Sequence, residues 1–355
     1  MASEIPKTMK ALITQPDKTA KVEEVPVPEI DDNEVLVKVV ALAQNPTDWK
    51  HIKGICNPGT ICGCDWSGYV VKTGRNVSSP AVGTHVAGFV HGGTYKDRGA
   101  FAEYVKTGAD LCWPVPAGTL SHEEAATMGC SFWTAVQALF HPTRLGLVEP
   151  PNKVDKEEWV LVYGGSGSVG MFAIQLAHIA GYKVVATASP RNHELCKSLG
   201  ADAVVDYKDP NAIGKIKEIT NNSIRVGLDA ISELETQKFS VQTFGTGGGK
   251  LVTILGAQQE AQRLRPDVKV QSTLIYTALG RSFVFAGNTP FPASEEDRSH
   301  MAHFLKKVPE LVKSGQVKPN PTKLFEGGLE GINAGLQHMM EGKHSGEKIV
   351  YRLSN

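Results

Sequence analysis

The arrangement of hydrophobic and polar positions divides the chain into stretches of two kinds. Early in the chain, short runs dense in Val, Ile and Leu cover residues 9–14, 34–43 and 63–72, and turns rich in Pro, Asp, Asn and Gly separate them. Short apolar runs between turn-forming residues predict β-strands. We therefore expect a compact, barrel-like β module in this part of the chain.

A helix is predicted after this module. Ser121 stands before an acidic first turn, which is typical of a helix N-terminus that a serine side chain caps. The helical pattern that follows covers residues 125–140. Pro150 and Pro151 then interrupt the pattern and predict a domain boundary.

From residue 158 onwards, strands and helices are predicted to alternate. The run Trp159–Tyr163 is continuously apolar, as expected for a strand of a parallel sheet that is covered on both faces. The pattern then predicts helices over 169–180, 193–199 and 212–220, and strands over 183–188, 203–206, 226–230 and 250–255. This βαβ alternation is typical of a doubly wound α/β domain.

The last part of the chain mixes both kinds of element. It predicts helices over 297–314 and 329–341, a strand near Lys323 and a closing strand over 347–353. The chain shows no internal repeat and no low-complexity segment. These features indicate a globular protein of ordinary composition.

Size and charge limit the classes of function. The chain has 355 residues, of which 41% are hydrophobic, and this is enough for two domains with cores of their own. Lys plus Arg and Asp plus Glu number 37 each, so no net field attracts nucleic acid or an anionic membrane. We therefore expect a small, neutral molecule as the partner, with no nucleic acid and no membrane surface.

Cysteine usage and the N-terminal segment predict a cytoplasmic protein. The six cysteines include no Cys-x-x-Cys pair, and they lie at positions 56, 62, 64, 112, 130 and 196. This spacing matches neither a disulfide framework nor a zinc ribbon, so reduced thiols are expected. Residues 1–7 lack the apolar stretch of a secretory signal, and no run is long enough to span a bilayer.

A glycine-rich loop separates the apolar strand from the next predicted helix. It matches G-x-G-x-x-G and comprises Gly165, Ser166, Gly167, Ser168, Val169 and Gly170. In this context the N–H groups of the helix N-terminus face a pyrophosphate, which predicts dinucleotide binding. Gly165 and Gly167 permit a tight turn and a close backbone approach, while Gly170 lets the helix pack on the strand. The alternative is a glycine-rich βα turn without a ligand.

The residues after the next predicted strand favour NADPH over NADH. A carboxylate about 20 residues beyond the glycine loop would bind a free ribose 2′-hydroxyl. No carboxylate stands at this distance from the loop. The residues there are Ser189, Pro190, Arg191 and Asn192. Ser189 offers a hydroxyl, and the guanidinium of Arg191 matches a phosphate. Tyr207 is a further candidate for contact with the adenine end; the alternative is an ordinary aromatic residue at a strand end.

Several segments resemble the medium-chain dehydrogenase/reductase superfamily. Besides the glycine loop, they are Asn45-Pro46-Thr47-Asp48, Gly83-Thr84-His85-Val86, Gly99-Ala100-Phe101-Ala102-Glu103-Tyr104 and residues 342–350. The resemblance covers nearly the whole chain. Within the superfamily it points to the zinc-free quinone oxidoreductase branch, and in particular to fungal trans-acting enoyl reductases such as the lovastatin enoyl reductase.

This resemblance implies a fold and a domain division. The fold is α/β, with a Rossmann domain, a doubly wound parallel sheet, inserted into a GroES-like, β-rich catalytic domain that both chain ends build. The boundaries that we expect are 1–155 and 293–355 for the catalytic domain and 156–292 for the NADPH-binding Rossmann domain.

The sequence departs from the zinc-dependent members of the superfamily. Where those carry Gly-His-Glu, this chain has Gly63, Cys64 and Asp65, and Asn45 stands in the region of the first zinc ligand. No cluster of cysteines supplies a second zinc site. Cys64, Asp65 and His51 could gather a metal, but they lack the spacing of known zinc sites. We therefore expect no metal.

Without a metal, the chemistry would rest on hydride from the cofactor and on polar groups that polarise the acceptor. A conjugated carbonyl suits this best, because hydride on its β-carbon leaves an enolate that a hydrogen bond or a positive charge stabilises. Lys50 matches a lysine near the active site of the fungal enoyl reductases; the alternative is a solvated surface lysine. Thr134 matches the segment that passes the nicotinamide; the alternative is a hydroxyl bonded to its own helix.

The resemblance also implies the remaining contacts. The segment Asn45-Pro46-Thr47-Asp48 would face the nicotinamide, with Asn45 orienting the ribose, although an Asn before Pro also stabilises a turn. The residues that would complete the nicotinamide pocket through their backbone are Leu255, Gly256 and Ser345. Asn288 and Thr289 would line the substrate side from a loop, which could equally be a plain connector.

One family feature is missing. Mitochondrial-type enoyl reductases carry a tyrosine proton donor shortly after the Asn-Pro-x-Asp segment, whereas no tyrosine lies between Asn45 and Asp65 here. Water, Lys50 or another group would then protonate the enolate.

Together these observations predict an NADPH-dependent, zinc-independent reductase of conjugated C=C bonds. An NADPH quinone oxidoreductase would have the same loop and the same missing ligands, and a non-catalytic NADPH-binding protein is a third possibility. The substrate would be an α,β-unsaturated carbonyl compound or a quinone, free or bound to a carrier. The assembly would be a monomer or a homodimer.

Overall fold

Two large sheets organise the chain, and each belongs to a different unit. The computed structural model describes residues 5–55, 57–285 and 289–353. One unit comprises Met1–Trp133 and Tyr276–Asn355, and the other comprises Thr134–Ile275. The domain boundaries expected from the sequence, after residues 155 and 292, stay predictions.

The first unit begins with seven strands, in agreement with its expected β-rich character. They are β1 (Thr8–Thr14), β2 (Ala20–Pro26), β3 (Glu34–Ala43), β4 (Asp65–Thr73), β5 (His85–Phe89), β6 (Tyr104–Gly108) and β7 (Cys112–Pro114). The predicted strands at 9–14, 34–43 and 63–72 correspond to β1, β3 and β4. β1 and β2 form an antiparallel pair of their own.

Three α-helices lie between residues 44 and 158: α1 (Pro46–Lys50), α2 (His122–Ala126) and α3 (Cys130–Phe140). The first two belong to the first unit, and α3 continues past Trp133, where that unit ends. Ser121 caps α2 as predicted, since its hydroxyl accepts from Glu124 N at 3.2 Å and Ser121 N donates to the Glu124 carboxylate at 2.8 Å. The single helix predicted over 125–140 is wrong, because residues 127–129 separate α2 from α3. The break lets Cys130 N, at the start of α3, donate to Asp65 Oδ1 at 2.5 Å.

The second unit contains one parallel sheet of six strands. The strands are β8 (Trp159–Tyr163), β9 (Lys183–Thr187), β10 (Ala203–Val205), β11 (Val226–Asp229), β12 (Gly249–Thr253) and β13 (Val268–Ser272). Their order in the sheet is β10-β9-β8-β11-β12-β13. The helices of this unit are α4 (Ser168–Ile179), α5 (His193–Ser198), α6 (Ala212–Ile219), α7 (Leu234–Gln242) and α8 (Gln259–Leu264). The doubly wound sheet is confirmed, and its strand order reverses between β8 and β11, where such sheets bind ligands.

The strand β13 was not predicted from the sequence. Of its residues Val268–Ser272, only Val268 is buried, and the strand lies at the edge of the sheet beside β12. A short, half-polar edge strand gives a weak pattern, unlike the buried central strands. Leu255 and Gly256, expected from the resemblance at the end of the last strand of this domain, therefore follow β12, the fifth of its six strands in chain order.

The C-terminal part of the chain returns to the first unit. Its elements are β14 (Phe283–Phe285), β15 (Thr289–Phe291), α9 (Glu295–Leu305), α10 (Val308–Lys313), β16 (Thr322–Phe325), α11 (Gly328–Met340) and β17 (Lys348–Arg352). β17 pairs antiparallel with β3 and parallel with β16. The resulting sheet has the order β16-β17-β3-β4-β5-β7, with β6 paired to β3. Its core includes Val37, Trp66, Phe101, Ile332 and Tyr351, all buried.

Two predictions for this part are wrong. The helix predicted over 297–314 is divided into α9 and α10, with Pro309 in the first turn of α10, where its missing N–H is tolerated. Thr289 lies in β15, which pairs with β14, and not in a loop. The pairing is supported by the stacked rings of Phe283 and Phe291, 5.1 Å apart, a cross-strand contact that no local pattern reveals. Asn288 lies outside the described residues.

No helix within the described part of the chain combines the length and the apolar character that a membrane span requires.

Candidate functional site

The glycine loop joins β8 to α4 in the second unit. Gly164 has a φ of +79°, a backbone conformation that favours glycine, and Gly167 is the N-cap of α4 without a side-chain cap. A Cβ at Gly165 would lie 2.9 Å from Ala186 Cβ, and a Cβ at Gly170 would lie 2.2 Å from Gly164 O. The loop therefore packs against β9 with room for backbone only at Gly165 and Gly170, and the N-cap of α4 is a glycine, which has no side chain.

The predicted cofactor-discriminating residues follow the neighbouring strand β9. Ser189 begins a single 3₁₀ turn, Pro190–Asn192, and Asn192 Nδ2 lies 3.5 Å from Ser189 Oγ. Arg191 is exposed in this turn. Tyr207 follows β10, is 40% exposed, and its ring centroid lies 6.2 Å from that of Tyr163 at the end of β8. The structure thus brings these residues to the carboxyl edge of three adjacent parallel strands.

Polar side chains that the sequence analysis missed hold the loops after β11 and β12. Asp229 Oδ1 accepts from Ile231 N at 2.9 Å and from Ser232 N at 2.8 Å. Ser232 Oγ in turn accepts from Ile254 N at 2.8 Å. Gln237 Nε2 donates to Gly256 O at 3.0 Å. The backbone around Leu255 and Gly256 is therefore held in place, while the Leu255 side chain is 43% exposed.

A buried polar cluster lies in the first unit, around Asn45. Lys348 Nζ donates to Asn45 Oδ1 at 2.5 Å and lies 3.0 Å from Asp65 Oδ2. Asn45 Nδ2 donates to the same Asp65 oxygen at 2.8 Å. Lys348 also contacts Ser131 Oγ at 3.3 Å. Both ends of the Asn45 amide are therefore engaged by a lysine and an aspartate that the sequence analysis did not connect to it.

Asp48 closes the first turn of α1 beside this cluster. Asn45 N donates to Asp48 Oδ2 at 2.6 Å, as in a capping box. Burial raises the pKa of Asp48 to about 7, and the neighbouring Asp65 carboxylate adds to the effect. Asp48 is thus a buried carboxyl group that holds a proton near neutral pH.

A second polar group extends from Thr47. Thr47 Oγ1 lies 2.5 Å from Tyr276 Oη and 3.0 Å from His51 Nδ1. His51 Nε2 lies 3.2 Å from His91 Nε2. The His91 ring stacks on Tyr276 with centroids 3.7 Å apart. These four side chains form one hydrogen-bonded network. From the sequence, Thr47 had been considered as a cofactor contact and His51 as a metal candidate, whereas His91 and Tyr276 had not been considered.

The remaining predicted residues occupy varied positions. Lys50 is the last residue of α1, is partly exposed, and its Nζ lies 5.7 Å from the centroid of the Trp49 ring. Thr134 lies in α3 and is 6% exposed. Ser345 is exposed in the loop before β17. Their functional roles stay predictions.

Comparison with known proteins identifies the family. A relative from Alternaria alternata, named as a trans-enoyl reductase, is 39% identical over 98% of this chain and 99% of its own length. The chain belongs to the medium-chain dehydrogenase/reductase superfamily. The superfamily models for the alcohol dehydrogenase GroES-like domain and for zinc-binding dehydrogenases match residues 31–117 and 168–290. The expected combination of a GroES-like and a Rossmann domain is confirmed.

Other similar proteins of the superfamily carry different names. A relative from Schizosaccharomyces pombe, named as a zinc-type alcohol dehydrogenase-like protein, is 37% identical over 97% of this chain and 100% of its own length. The solved CurK enoyl reductase has a TM-score of 0.77 and 21% identity, and covers 98% of this chain and 100% of its own. This structural likeness supports the same fold.

The side chains at the position of a dehydrogenase zinc site do not suit a metal. Among the described residues, no group of three or more His, Cys, Asp or Glu side chains is arranged to hold a metal ion. Asp65 is engaged by Lys348, Asn45 and the backbone of Cys130. Burial raises the pKa of the Cys64 thiol well above its usual value. This medium-chain dehydrogenase/reductase thus has a lysine–aspartate pair in place of a ligand set.

Proposed function

We propose that this protein is an NADPH-dependent enoyl reductase that reduces the C=C bond of an α,β-unsaturated carbonyl compound without a metal. The observation that carries the proposal is the 39% identity, over essentially the full length of both chains, to a protein named as a trans-enoyl reductase. Similarity at this level preserves the fold, while the assignment of activity depends on the site. A cytosolic location and a carrier-bound substrate are parts of the proposal that follow from the sequence and the resemblance alone.

The second unit suits a dinucleotide. Gly167 is the N-cap of α4, and the loop packs closely at Gly165 and Gly170, which is the arrangement expected of a helix N-terminus that binds a pyrophosphate. The preference for NADPH over NADH rests on Ser189 and the exposed guanidinium of Arg191, which would bind a 2′-phosphate. We expect Pro190, Asn192 and Tyr207 to complete this end of the site.

When bound, the reduced nicotinamide supplies hydride. This chain's residues would do the rest: orient the ring, polarise the carbonyl and deliver a proton. We assign orientation of the nicotinamide to residues 45–48, Leu255, Gly256 and Ser345. The carbonyl oxygen of the enolate would be stabilised by the Thr134 hydroxyl or by the charge of Lys50, since each is worth most in a water-poor site.

The donor set supports a reaction without a metal. Asp65 already balances the charge of Lys348, and burial raises the pKa of the Cys64 thiol well above its usual value. Oxidation of a simple alcohol needs an alkoxide that a Lewis acid or a relay stabilises, whereas reduction of an enone proceeds with hydrogen bonds to the developing enolate. The proposal therefore predicts full activity in the presence of a chelator.

The test is a screen of purified protein with NADPH and NADH against crotonyl-pantetheine, cyclohex-2-enone, a naphthoquinone and ethanol. We expect reduction of a conjugated C=C bond, with saturated product identified by mass spectrometry, and no NADP⁺-dependent oxidation of ethanol. Turnover of the quinone alone would identify a quinone oxidoreductase. NADPH binding without turnover of any acceptor would identify a non-catalytic protein, and one zinc per chain lost together with activity would overturn the metal-free mechanism.

A further inference from the structure

The first unit contains a cavity of about 290 Å³, and none of the residues assigned to the cofactor or the substrate lines it. Its wall combines the start of β3, the segment after β5 and the segment before β14. Arg98, Arg281 and Glu34 make one part of the wall polar, whereas Val90 and Leu111 make another part apolar. This volume holds roughly ten water molecules at ~30 Å³ each, so it suits a small organic molecule.

Arg98 is a buried cation whose donors are mostly unused. Its side chain is 9% exposed, and its Nη2 donates to Glu34 Oε1 at 2.6 Å. Within the described part of the chain, the Arg98 side chain has no other hydrogen-bond acceptor. A guanidinium group has five N–H donors in one plane, so most of those of Arg98 remain for an occupant of the cavity. Burial of donors without an acceptor costs free energy, which favours an occupant with acceptor oxygens.

The charges around Glu34 do not balance. Arg281 Nη2 donates to the same Glu34 oxygen at 2.8 Å, so two guanidinium groups share one carboxylate. Lys106, which also interacts with the charge of Glu34, lies 2.5 Å from Asp97 Oδ2. This cluster therefore contains three cations and two carboxylates. Its excess of one positive charge favours a monoanion as the occupant.

The other charged groups at the cavity are paired or exposed. Arg298 forms two hydrogen bonds with the Asp110 carboxylate, at 2.8 and 2.9 Å, and the two charges balance. Burial lowers the pKa of His91 well below its usual value, so this imidazole is neutral near pH 7. Asp31 is exposed, and solvent screens its charge. The positive excess around Arg98 is therefore the charge that an occupant would compensate.

A carboxylate matches this site better than a phosphate monoester does. It is planar, carries one charge and accepts two parallel hydrogen bonds from the edge of a guanidinium group. A phosphate monoester carries about 1.5 to 2 negative charges at pH 7, which would place an excess of negative charge beside Glu34. Val90 and Leu111, each 4% exposed, offer apolar contact to a short hydrocarbon chain.

We propose that this cavity binds a small organic monocarboxylate. Its carboxylate accepts hydrogen bonds from Arg98 and Arg281, and its hydrocarbon part contacts Val90 and Leu111. The site goes beyond the proposed function, because its residues belong to neither the cofactor contacts nor the substrate contacts assigned above. The monocarboxylate is therefore a ligand that binds without NADPH and without turnover.

Calorimetric titration of the protein without cofactor tests the site. The probes are acetate, butanoate, hexanoate and octanoate, with hexanamide and hexyl phosphate for comparison at equal chain length. We expect 1:1 binding of hexanoate, at least about tenfold tighter than that of hexanamide, and an unchanged dissociation constant in the presence of saturating NADPH. The proposal is overturned if no carboxylate of the series binds, if the amide binds equally well, or if hexyl phosphate binds more tightly than hexanoate.

The place of binding can be read from the arginine side chains. In ¹H–¹⁵N spectra of protein labelled with ¹⁵N-arginine, hexanoate should shift the Nε–H signals of Arg98 and Arg281. Arg98→Lys and Arg281→Lys assign these two signals, because each substitution removes one of them. A shift of the Arg191 signal in their place would put the carboxylate at the proposed cofactor site and refute the proposal.

Two substitutions test the roles of the guanidinium groups. Arg98→Lys keeps a positive charge beside Glu34 but loses the planar pair of donors, so we expect hexanoate to bind at least about tenfold more weakly. Arg281→Met removes the excess charge at a side chain that is 46% exposed, and it should weaken binding by a similar factor. Hexanoate should also raise the thermal unfolding midpoint of the wild-type protein more than that of either variant.

Arg75 provides matched controls in the same unit. Its side chain is 79% exposed and is paired with Asp32 outside the cavity. Arg75→Lys and Arg75→Met should both retain the wild-type affinity for hexanoate, and NADPH affinity should be the same in all four variants. Wild-type affinity for hexanoate in Arg281→Met would overturn the proposal even if Arg98→Lys failed to fold.

Discussion

Lys348 and Asp65 form an ion pair that is closed off from solvent, with Nζ 3.0 Å from Oδ2 and side chains that are 1% and 0% exposed. The pair connects β17, the last strand of the chain, with β4, and β3 lies between these strands in the sheet. A buried pair is not strongly stabilising in itself, because both charges lose their hydration. Removal of one partner, however, leaves an uncompensated charge.

The first prediction concerns this pair. Lys348→Met should lower the free energy of unfolding by about 3–5 kcal/mol, because the Asp65 carboxylate loses its only described ion-pair partner. The double variant with Asp65→Asn should lose much less than the sum of the single losses. Denaturant unfolding of the four proteins measures this coupling. Lys343→Met, at an exposed lysine, is the control, and strict additivity would contradict the prediction.

The second prediction is a dependence of stability on pH. Burial raises the pKa of Asp48 from 3.8 to about 7, so the folded protein holds a proton that the unfolded chain releases. The stabilisation is complete below about pH 4 and is lost as the pH rises through 7. Asp48→Asn should remove this loss. Between pH 4 and pH 8, the free energy of unfolding of the variant should therefore rise by on the order of 4 kcal/mol relative to that of the wild-type protein. Asp155→Asn, a variant at an exposed aspartate, is the control. Its free energy of unfolding relative to wild type should stay constant between pH 4 and pH 8.

A third prediction concerns the glycine loop. Gly170→Ala places a Cβ 2.2 Å from Gly164 O, a backbone atom that cannot move aside, so α4 must shift from the loop. We expect NADPH affinity to fall at least about tenfold, or 1.4 kcal/mol. In Gly214→Ala, another helical glycine of the same unit, the Cβ meets the side chain of Asn211, which can rotate away. Titration calorimetry that finds the two variants equal would contradict this account.

The fourth prediction concerns cofactor choice. Wild-type protein should bind NADPH at least about tenfold more tightly than NADH, and Arg191→Ala should remove most of that preference by weakening NADPH alone. Lys197→Ala removes an exposed positive charge from α5 and serves as the control. Fluorescence titration with both cofactors measures the ratio. Equal affinities in the wild-type protein would refute the role of Ser189 and Arg191.

The fifth prediction concerns the groups proposed to stabilise the enolate. Lys50→Ala and Thr134→Ala should each lower kcat/KM for crotonyl-pantetheine by on the order of tenfold or more, with a smaller change in NADPH affinity. Thr134→Ser retains the hydroxyl and should retain activity. Lys53→Ala, at an exposed lysine near Lys50, is the matched control. A Lys50 variant with the kinetics of the Lys53 variant would identify Lys50 as a surface lysine.

The sequence by itself determined the local elements and the family. Continuous apolar runs such as Trp159–Tyr163 and the G-x-G-x-x-G loop are strong signals because strand burial and backbone geometry act over a few neighbouring residues. The same holds for Ser121, whose cap involves a residue three positions away. The strand β13 and the hairpin of β14 and β15 were not predicted, because these short elements are stabilised by pairing with a neighbouring strand and have no clear local pattern of apolar residues.

Only the tertiary structure decided which polar side chains act together. Asn45, Asp65 and Lys348 lie far apart along the chain, and pairing of β17 with β3 and of β3 with β4 brings them into one buried cluster. In the same way, His91 and Tyr276 join Thr47 and His51 through folding alone. A residue pattern records which groups are polar, but the hydrogen bonds they make depend on distances of about 3 Å that strand order and packing set.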